Sequence, residues 1–384
     1  MLYRKAGKTG EILSILGFGC MRLPTRDGKA HLIDEEKTQA MVDHAIRSGV
    51  NYFDTAYIYH SEIPFQAGMS ELFLGHALSG QREKVRLATK LPSWFVQNRR
   101  DMDRFLDEQL GRLQTNRIDF YLVHSLTGEL CQKLSRLGIT DFLDAALADG
   151  RIQHAGFSFH DEAAQFKPIV DAYDWSFCQI QYNFMDEDYQ AGCAGLEYAA
   201  GRGLGVIVME PLRGGGLAAR VPEEVQAVWN KALVKRTAAE WALRFVWNRP
   251  EVSVVLSGMT EPRQLEENIR IAQHGLADSL SPADLALIEE AKAIYRARTR
   301  VNCTSCGYCL PCPSGVNIPA NFLQLNNLAI YRDRGGAEFF YFHILEEAQR
   351  ASHCEECGHC EELCPQHIPI PAMLKEVVRE FERR

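Results

Sequence analysis

The chain has 384 residues, 46% of them hydrophobic and 24% charged, and a formal net charge of −8. That length suits one large domain and a smaller one. The acidic balance provides no electrostatic footprint for DNA or RNA, and no apolar run approaches the length a bilayer crossing needs.

In chain order, Met1-Leu2-Tyr3-Arg4-Lys5 lacks the apolar core of a signal peptide. Tyr3 to Ile12, with Gly7 and Gly10, reads as a hairpin. From residue 15 to residue 275, short runs rich in Val, Ile and Phe alternate with longer amphipathic stretches. Strands are predicted at Ile15–Leu23, Asn51–Thr55, Val85–Lys90, Ile118–His124, His154–Ser158, Phe177–Gln181, Gly205–Met209 and Val252–Leu256. Most are followed by a helical pattern. Asp34 to Ser48 has an acidic first turn and Gly49 at its end. Thr237 to Trp247 lines Ala238, Trp241, Ala242 and Phe245 on one face and stops before Pro250. Eight such units suit an α/β fold closed as a (β/α)8 TIM barrel better than an open sheet. The leading hairpin would plug the N-terminal end of that barrel.

Another amphipathic segment, roughly Pro282 to Ala297, leads through Arg296, Arg298 and Arg300 into a region of different composition. A boundary near residue 299 therefore gives a barrel domain over 1–298 and a second domain over 299–384. The second domain carries two runs that both end in Cys-Pro: Cys303, Cys306, Cys309, Cys312 and Cys354, Cys357, Cys360, Cys364. Thiolates at every third position wrap a loop around one cluster of iron and sulfide. The fourth, beside proline, reaches the other cluster when two runs are present. The second run has the C-x2-C-x2-C-x3-C-P spacing and the first is one residue shorter before Cys312. Zinc is the alternative, but zinc sites usually split their thiolates into two separated pairs. The pattern therefore reads as two [4Fe-4S] clusters bound by these eight cysteines. Helical character between the runs, at Ala320 to Tyr331 and Ala337 to Arg350, makes this a mostly helical ferredoxin-type dicluster domain. Cys20, Cys131, Cys178 and Cys193 sit alone in apolar settings and read as small buried hydrophobes. Oxygen-sensitive clusters and unpaired thiols point to the cytoplasm.

The predicted strand ends carry a matching set of polar groups: Asp54 and Tyr59 after strand 2, Lys90 in Ala88-Thr89-Lys90, and His124 in Leu122-Val123-His124. Here the chain resembles the aldo-keto reductase family over roughly residues 1 to 295, and the resemblance implies that Asp54, Tyr59, Lys90 and His124 are catalytic. Tyr59 would donate a proton to the carbonyl oxygen as hydride arrives, with Lys90 lowering its pKa. Asp54 would hold Lys90, and His124 would orient the substrate. Tyr57 is the nearest rival for the acid, and Trp94 is a candidate pocket wall or, equally, a core residue.

By the same resemblance Ser158 and Gln179 would hold the nicotinamide carboxamide, although Phe159 and His160 follow Ser158 where the family often has Asn. Met209 replaces an aromatic ring that commonly stacks on the nicotinamide. Pro211, Leu212, Arg213 and Gly214 open a glycine-rich loop for the pyrophosphate. Gly258, Arg263, Glu267 and Asn268 fall where the adenosine end is expected. Gly258 replaces a basic residue, and Gln264 stands where Arg is common, so NADP(H) and NAD(H) both remain open. The implied activity is hydride transfer between a nicotinamide cofactor and a small-molecule carbonyl/alcohol pair. The clusters would serve electron transfer with a redox partner protein, regulation or structure. The alternative is an iron–sulfur electron-transfer protein that uses a reductase-derived barrel as scaffold or docking module.

Overall fold

Residues 1–63, 66–219 and 221–382 are described by the computed structural model. The chain groups into two units: Met1–Pro211 with Ala242–Ser279, and Leu212–Trp241 with Leu280–Arg384.

In the first unit eight parallel strands close on themselves: β1 (Leu16–Gly19), β2 (Tyr52–Asp54), β3 (Arg86–Leu91), β4 (Ile118–Leu126), β5 (Ile152–Phe159), β6 (Phe177–Gln181), β7 (Gly205–Met209) and β8 (Val252–Ser257). Each pairs with the next along the chain, and β8 returns to β1 with Val255 opposite Leu16 and Ser257 opposite Phe18. Because strand residues alternate in direction, one set from each strand fills the interior. Tyr52, Phe120, Leu122, Phe177, Ile207 and Val254 form that inner cluster. Each large side chain buried there contributes about 1.5–3 kcal/mol relative to exposure.

The predicted hairpin is present: Tyr3–Lys5 pairs antiparallel with Ile12–Ser14, and Ala6 joins the inner cluster. It sits where the strands begin. Gly7, at φ 49°, lies so near the entry to β7 that an added Cβ would stand 2.4 Å from the Gly203 carbonyl oxygen. Only glycine tolerates both the backbone angle and the approach. Arg4 donates to the carbonyls of Trp247, Arg249 and Val252, at the entry to β8.

Between strands the helices follow their capping signals. Asp34 caps Glu35–Arg47 at Lys37 N, and Asn98 with Asp101 forms a capping box on Arg99–Arg112, each cap contributing about 1 kcal/mol. The first strand is shorter than predicted. After Gly19 the chain enters a 3-10 turn, Cys20–Arg22, because side chains take over the ladder groups. Ser70 Oγ donates to Cys20 O, and Leu23 N donates to His60 Nε2.

The second unit is helical, with Glu223–Trp229, Pro282–Arg298, Ile318–Tyr331 and Ile370–Phe381 among its helices. The first two of these precede residue 299 in sequence yet group with the cysteine-bearing segment. Val316, Phe322, Leu325, Tyr341, Leu374 and Phe381 share a core with Cys309, Cys360 and Cys364. The helix predicted over Ala337 to Arg350 is broken. An α-helix ends at Phe339 and a π-helical turn covers Phe340–Ile344. Arg350 donates to the carbonyls of Tyr341 and Phe342, which a continuing α-helix would have used itself. No helix among the described residues is long and apolar enough to cross a membrane.

Candidate active site

Asp54 ends β2, Lys90 lies near the end of β3 and His124 near the end of β4, so one rim of the barrel carries all three. Tyr59 reaches the same place from the loop after β2. That loop folds back on itself: Gly68 N donates to Tyr57 O, Met69 N to His60 O and Ser70 N to Tyr59 O. A Cβ on Gly68 would stand 2.0 Å from Tyr59 O, so glycine is what lets the returning chain come this close. His60 pins the loop from the other side, with Nδ1 2.6 Å from Ala30 O and Nε2 accepting from Leu23 N.

Lys90 is fully buried. Its Nζ donates to Asp54 Oδ1 and to Thr55 O, each at 2.7 Å, and lies 4.8 Å from the centre of the Tyr59 ring. The rings of Tyr59 and His124 meet edge to face at 6.1 Å, and the Trp94 ring lies 4.9 Å from that of His124. Burial raises the Asp54 carboxyl while Lys90 draws it back. Burial, then the charges of Lys90 and His160, hold His124 well below the usual imidazole value, so it is neutral.

The lowering of the Tyr59 pKa expected from Lys90 does not occur. Burial, then Asp54 and Glu210, push the phenol well above its ordinary value. The ammonium is spent on Asp54 and sits over the ring face. The Tyr57 hydroxyl, the other phenol near this rim, donates to Glu108, and burial with that carboxylate pushes its pKa up to about 12.

Ser158 and Gln179 are direct cross-strand neighbours at the ends of β5 and β6. Ser158 Oγ accepts from Ser125 N at 2.7 Å, which leaves its hydroxyl hydrogen to point elsewhere. Gln179 Nε2 contacts Met209 Sδ at 3.6 Å, while its buried Oε1 accepts no hydrogen bond among the described residues. An unmet buried acceptor costs about 1–3 kcal/mol, and a ligand amide N–H would meet it. The site thus fits a carboxamide.

Other expected nucleotide contacts are less free. Pro211 is the last residue before the second unit, to which Leu212, Arg213 and Gly214 belong. There the N–H groups of Gly215, Gly216 and Leu217 close turns onto Leu212 and Arg213, so those three donors are already used. After β8, Gly258 and Arg263 are exposed and Glu267 is half-buried. Asn268 is buried and donates to Ser257 Oγ. Gln264 caps its own helix, accepting from Thr260 N and Glu261 N.

Sequence reasoning missed two features of this rim. Glu71, fully buried, accepts from Thr89 Oγ1, Gln109 Nε2 and Arg112 Nε, and Gln109 also donates to Lys90 O. The only signal was a charge inside the apolar run Leu72-Phe73-Leu74 and its flank. Arg22 pairs with Glu210 at 3.4 Å, and nothing in the sequence joins residues so far apart.

In the second unit, among the described residues, no three His, Cys, Asp or Glu side chains stand where they could hold a metal ion between them. Cys303, Cys306, Cys309 and Cys364 instead line the wall of one cavity with Ile318, Phe322 and Ile370. Cys312 lies within electrostatic reach of Cys354 and Cys360, whose thiols are raised by burial first and by their cysteine neighbours after it. The two runs share left-handed backbone at two matching positions, although only the second continues into a short helix, His359–Glu362. Ser305 and Gly307 have positive φ, and so do Glu356 and Gly358 at the matching positions. The missing residue before Cys312 falls outside that shared stretch. An all-thiolate set around an apolar cavity, three from one run and one from the other, fits a cluster better than a single ion.

Residues 15–292 match the model of the aldo/keto reductase family, and residues 302–368 match that of the 4Fe-4S dicluster domain. The chain is similar to L-galactose dehydrogenase of Arabidopsis thaliana, 27% identical over 299 residues that cover 69% of this chain and 86% of the relative. It is also similar to Protein tas of Escherichia coli (strain K12), 25% identical over 354 residues that cover 77% and 99%. Aldo-keto reductase AKR11C1 from Bacillus halodurans shares the fold, with a TM-score of 0.62 at 24% identity over 76% of this chain and 96% of that one. The first match contains every strand of the barrel, and the chain accordingly belongs to the aldo/keto reductase family, with a 4Fe-4S dicluster domain following the barrel.

Proposed function

We propose that the protein is a nicotinamide-dependent oxidoreductase acting on a carbonyl/alcohol pair, with Asp54, Tyr59, Lys90 and His124 as its catalytic residues. The observation that supports this reading best is the buried Asp54–Lys90 pair lying under the Tyr59 ring with His124 beside it. When bound, a reduced nicotinamide, NADPH or NADH, would supply the hydride. Charge then builds on the carbonyl oxygen, and Tyr59 gives its proton there. Burial and the neighbouring carboxylates keep the phenol protonated, so a proton is there to be given to the developing alkoxide. Lys90 and Asp54 cancel in charge and fix the floor of the site, and neutral His124 directs the substrate oxygen. Ser158 and Gln179 would hold the carboxamide.

Cys303, Cys306, Cys309 and Cys364 would bind one [4Fe-4S] cluster, and Cys354, Cys357, Cys360 and Cys312 the other. Such clusters supply one-electron chemistry, whereas a hydride carries two electrons together. They would therefore serve exchange with a redox partner protein, regulation or structure, in a cytoplasmic setting.

The decisive experiment uses anaerobically purified protein. Tyr59→Phe should lower carbonyl reduction by about 10²-fold or more with iron content unchanged. Full activity in that variant would remove Tyr59 from the chemistry. Adding NADPH or NADH without any carbonyl tests the other reading: bleaching of the broad absorbance of the clusters would favour an electron-transfer protein.

A further inference from the structure

The barrel order β7–β8–β1 puts the chain segments after these strands side by side on the rim that carries Tyr59. Glu210 directly follows β7, Gly258 directly follows β8, and Arg22 closes the turn after β1. Arg22 and Glu210 therefore meet across the end of β8, at 3.4 Å. Gly258 leaves room for the crossing: a Cβ there would lie a tight 3.2–3.3 Å from the Cβ, Cγ and Cδ atoms of Arg22. The pair is a loose one, because well-made charged hydrogen bonds are about 2.7–2.9 Å long. Glu210 is also held in a left-handed backbone, φ 55°, with its carbonyl accepting from Asn183 Nδ2. Non-glycine residues in that region are strained and cluster at ligand clamps.

Lys90 is spent on Asp54, and His124 is neutral. Arg22 and Glu210 are both felt at the phenol: after burial and Asp54, Glu210 pushes its pKa up, and Arg22 draws it down. Both side chains keep some exposure, 28% and 16%, so an incoming group can reach them.

We propose that Arg22 is the anion-recognising residue of this rim, held by Glu210 until a carboxylate of the carbonyl substrate or a phosphate of the dinucleotide takes its place. A guanidinium offers a planar fork of donors that matches either group. The proposal rests on the reading of the rim as the hydride-transfer site. It makes Glu210 a competitor: the carboxylate lowers affinity for anions by occupying Arg22 first.

The test uses the full-length, iron-replete protein with 4-carboxybenzaldehyde and benzaldehyde as substrates, and dinucleotide affinity measured separately by nicotinamide fluorescence. If the substrate supplies the anion, Arg22→Gln lowers kcat/KM for the carboxylated aldehyde about tenfold or more relative to benzaldehyde, and dinucleotide Kd holds. If the dinucleotide supplies it, Kd rises by a similar factor, more at low salt than at high salt, and both aldehydes suffer alike. In either case Glu210→Gln moves the same quantity the opposite way. An aldehyde ratio and a Kd that both stay within about twofold in Arg22→Gln would overturn the proposal. Wild-type protein that turns over neither aldehyde would instead sink the hydride-transfer reading and the carboxylate arm with it, and dinucleotide Kd alone would then decide the phosphate arm.

Discussion

At the scale of single residues, His60 shows how a side chain with no chemistry of its own can set the site. Its two ring nitrogens work in opposite senses: Nε2 accepts from Leu23 N while Nδ1 faces the Ala30 carbonyl and must donate. Only the neutral imidazole can do both. Burial holds its pKa below the usual value, as it does for His124 and His154. The unfolded chain protonates these groups near pH 6.5, whereas the native barrel resists. Below pH 6.5 the unfolded state therefore carries more protons, and stability is complete above that pH and lost as acid moves through the window, by up to about 1.4 kcal/mol per pH unit for each full proton. Urea midpoints measured between pH 7.5 and 5.5 should fall in the wild type and fall less steeply in His60→Gln, which can still donate and accept. Equal slopes would mean that His60 is protonated in the native protein.

At the scale of elements, the strand ends owe their position to a buried polar network that the sequence pattern hid. Glu71, from the helix after the Tyr59 loop, binds Thr89 on β3 and Arg112 at the end of the Arg99–Arg112 helix. Arg112 in turn donates to Gly68 O, at the turn that returns the Tyr59 loop. Gln109 ties the Lys90 carbonyl and the Tyr121 hydroxyl into the same set. One cluster thus holds both the strand that carries Lys90 and the loop that carries Tyr59. Glu71→Gln keeps the shape and removes the charge, leaving Arg112 poorly paired. Breaking such a pair costs about 3–5 kcal/mol, so denaturant unfolding should shift by that amount, and kcat should fall while dinucleotide Kd changes little. A variant as stable and as active as the parent would show that the network is ornamental. Periodicity reveals strands and helix faces because burial acts on every second or every third and fourth residue. It is blind to contacts such as Glu71–Thr89, which depend on which side chains meet after the barrel has closed. The same blindness explains why β1 ends sooner than its apolar run suggests: His60 and Ser70, far along the chain, supply the bonds that end it.

For the whole molecule, the barrel and the cysteine-bearing unit differ in how plainly they are written. Eight alternating units point to a closed barrel because each repeats the same burial pattern. The proposed catalytic set of Asp54, Tyr59, Lys90 and His124 is legible because its members sit at or just after strand ends. The electrostatics of Tyr59 are not, since burial, then Asp54 and Glu210, set the direction. In the second unit the motif announces the ligand type, and the fold adds which thiols face one another. Cys364 belongs to the sequence of the second run and lines the cavity of the first, whereas Cys312 belongs to the first run and lies among the cysteines of the second. That crossing makes a prediction that distinguishes it from two self-contained runs. Cys364→Ser should weaken the cluster held by Cys303, Cys306 and Cys309, and Cys312→Ser the cluster held by Cys354, Cys357 and Cys360. Each single variant would be combined with Cys303→Ser and iron counted under anaerobic conditions, with electron paramagnetic resonance following each cluster. If the runs cross, Cys364→Ser adds little to the loss already caused by Cys303→Ser, because both remove ligands from one cluster, whereas Cys312→Ser adds a second loss. If each run is self-contained, the two combinations exchange outcomes. Because Cys309, Cys360 and Cys364 are also part of the hydrophobic core of this unit, the doubly depleted protein should lose helical signal as well as iron, as sites whose binding energy doubles as folding energy do.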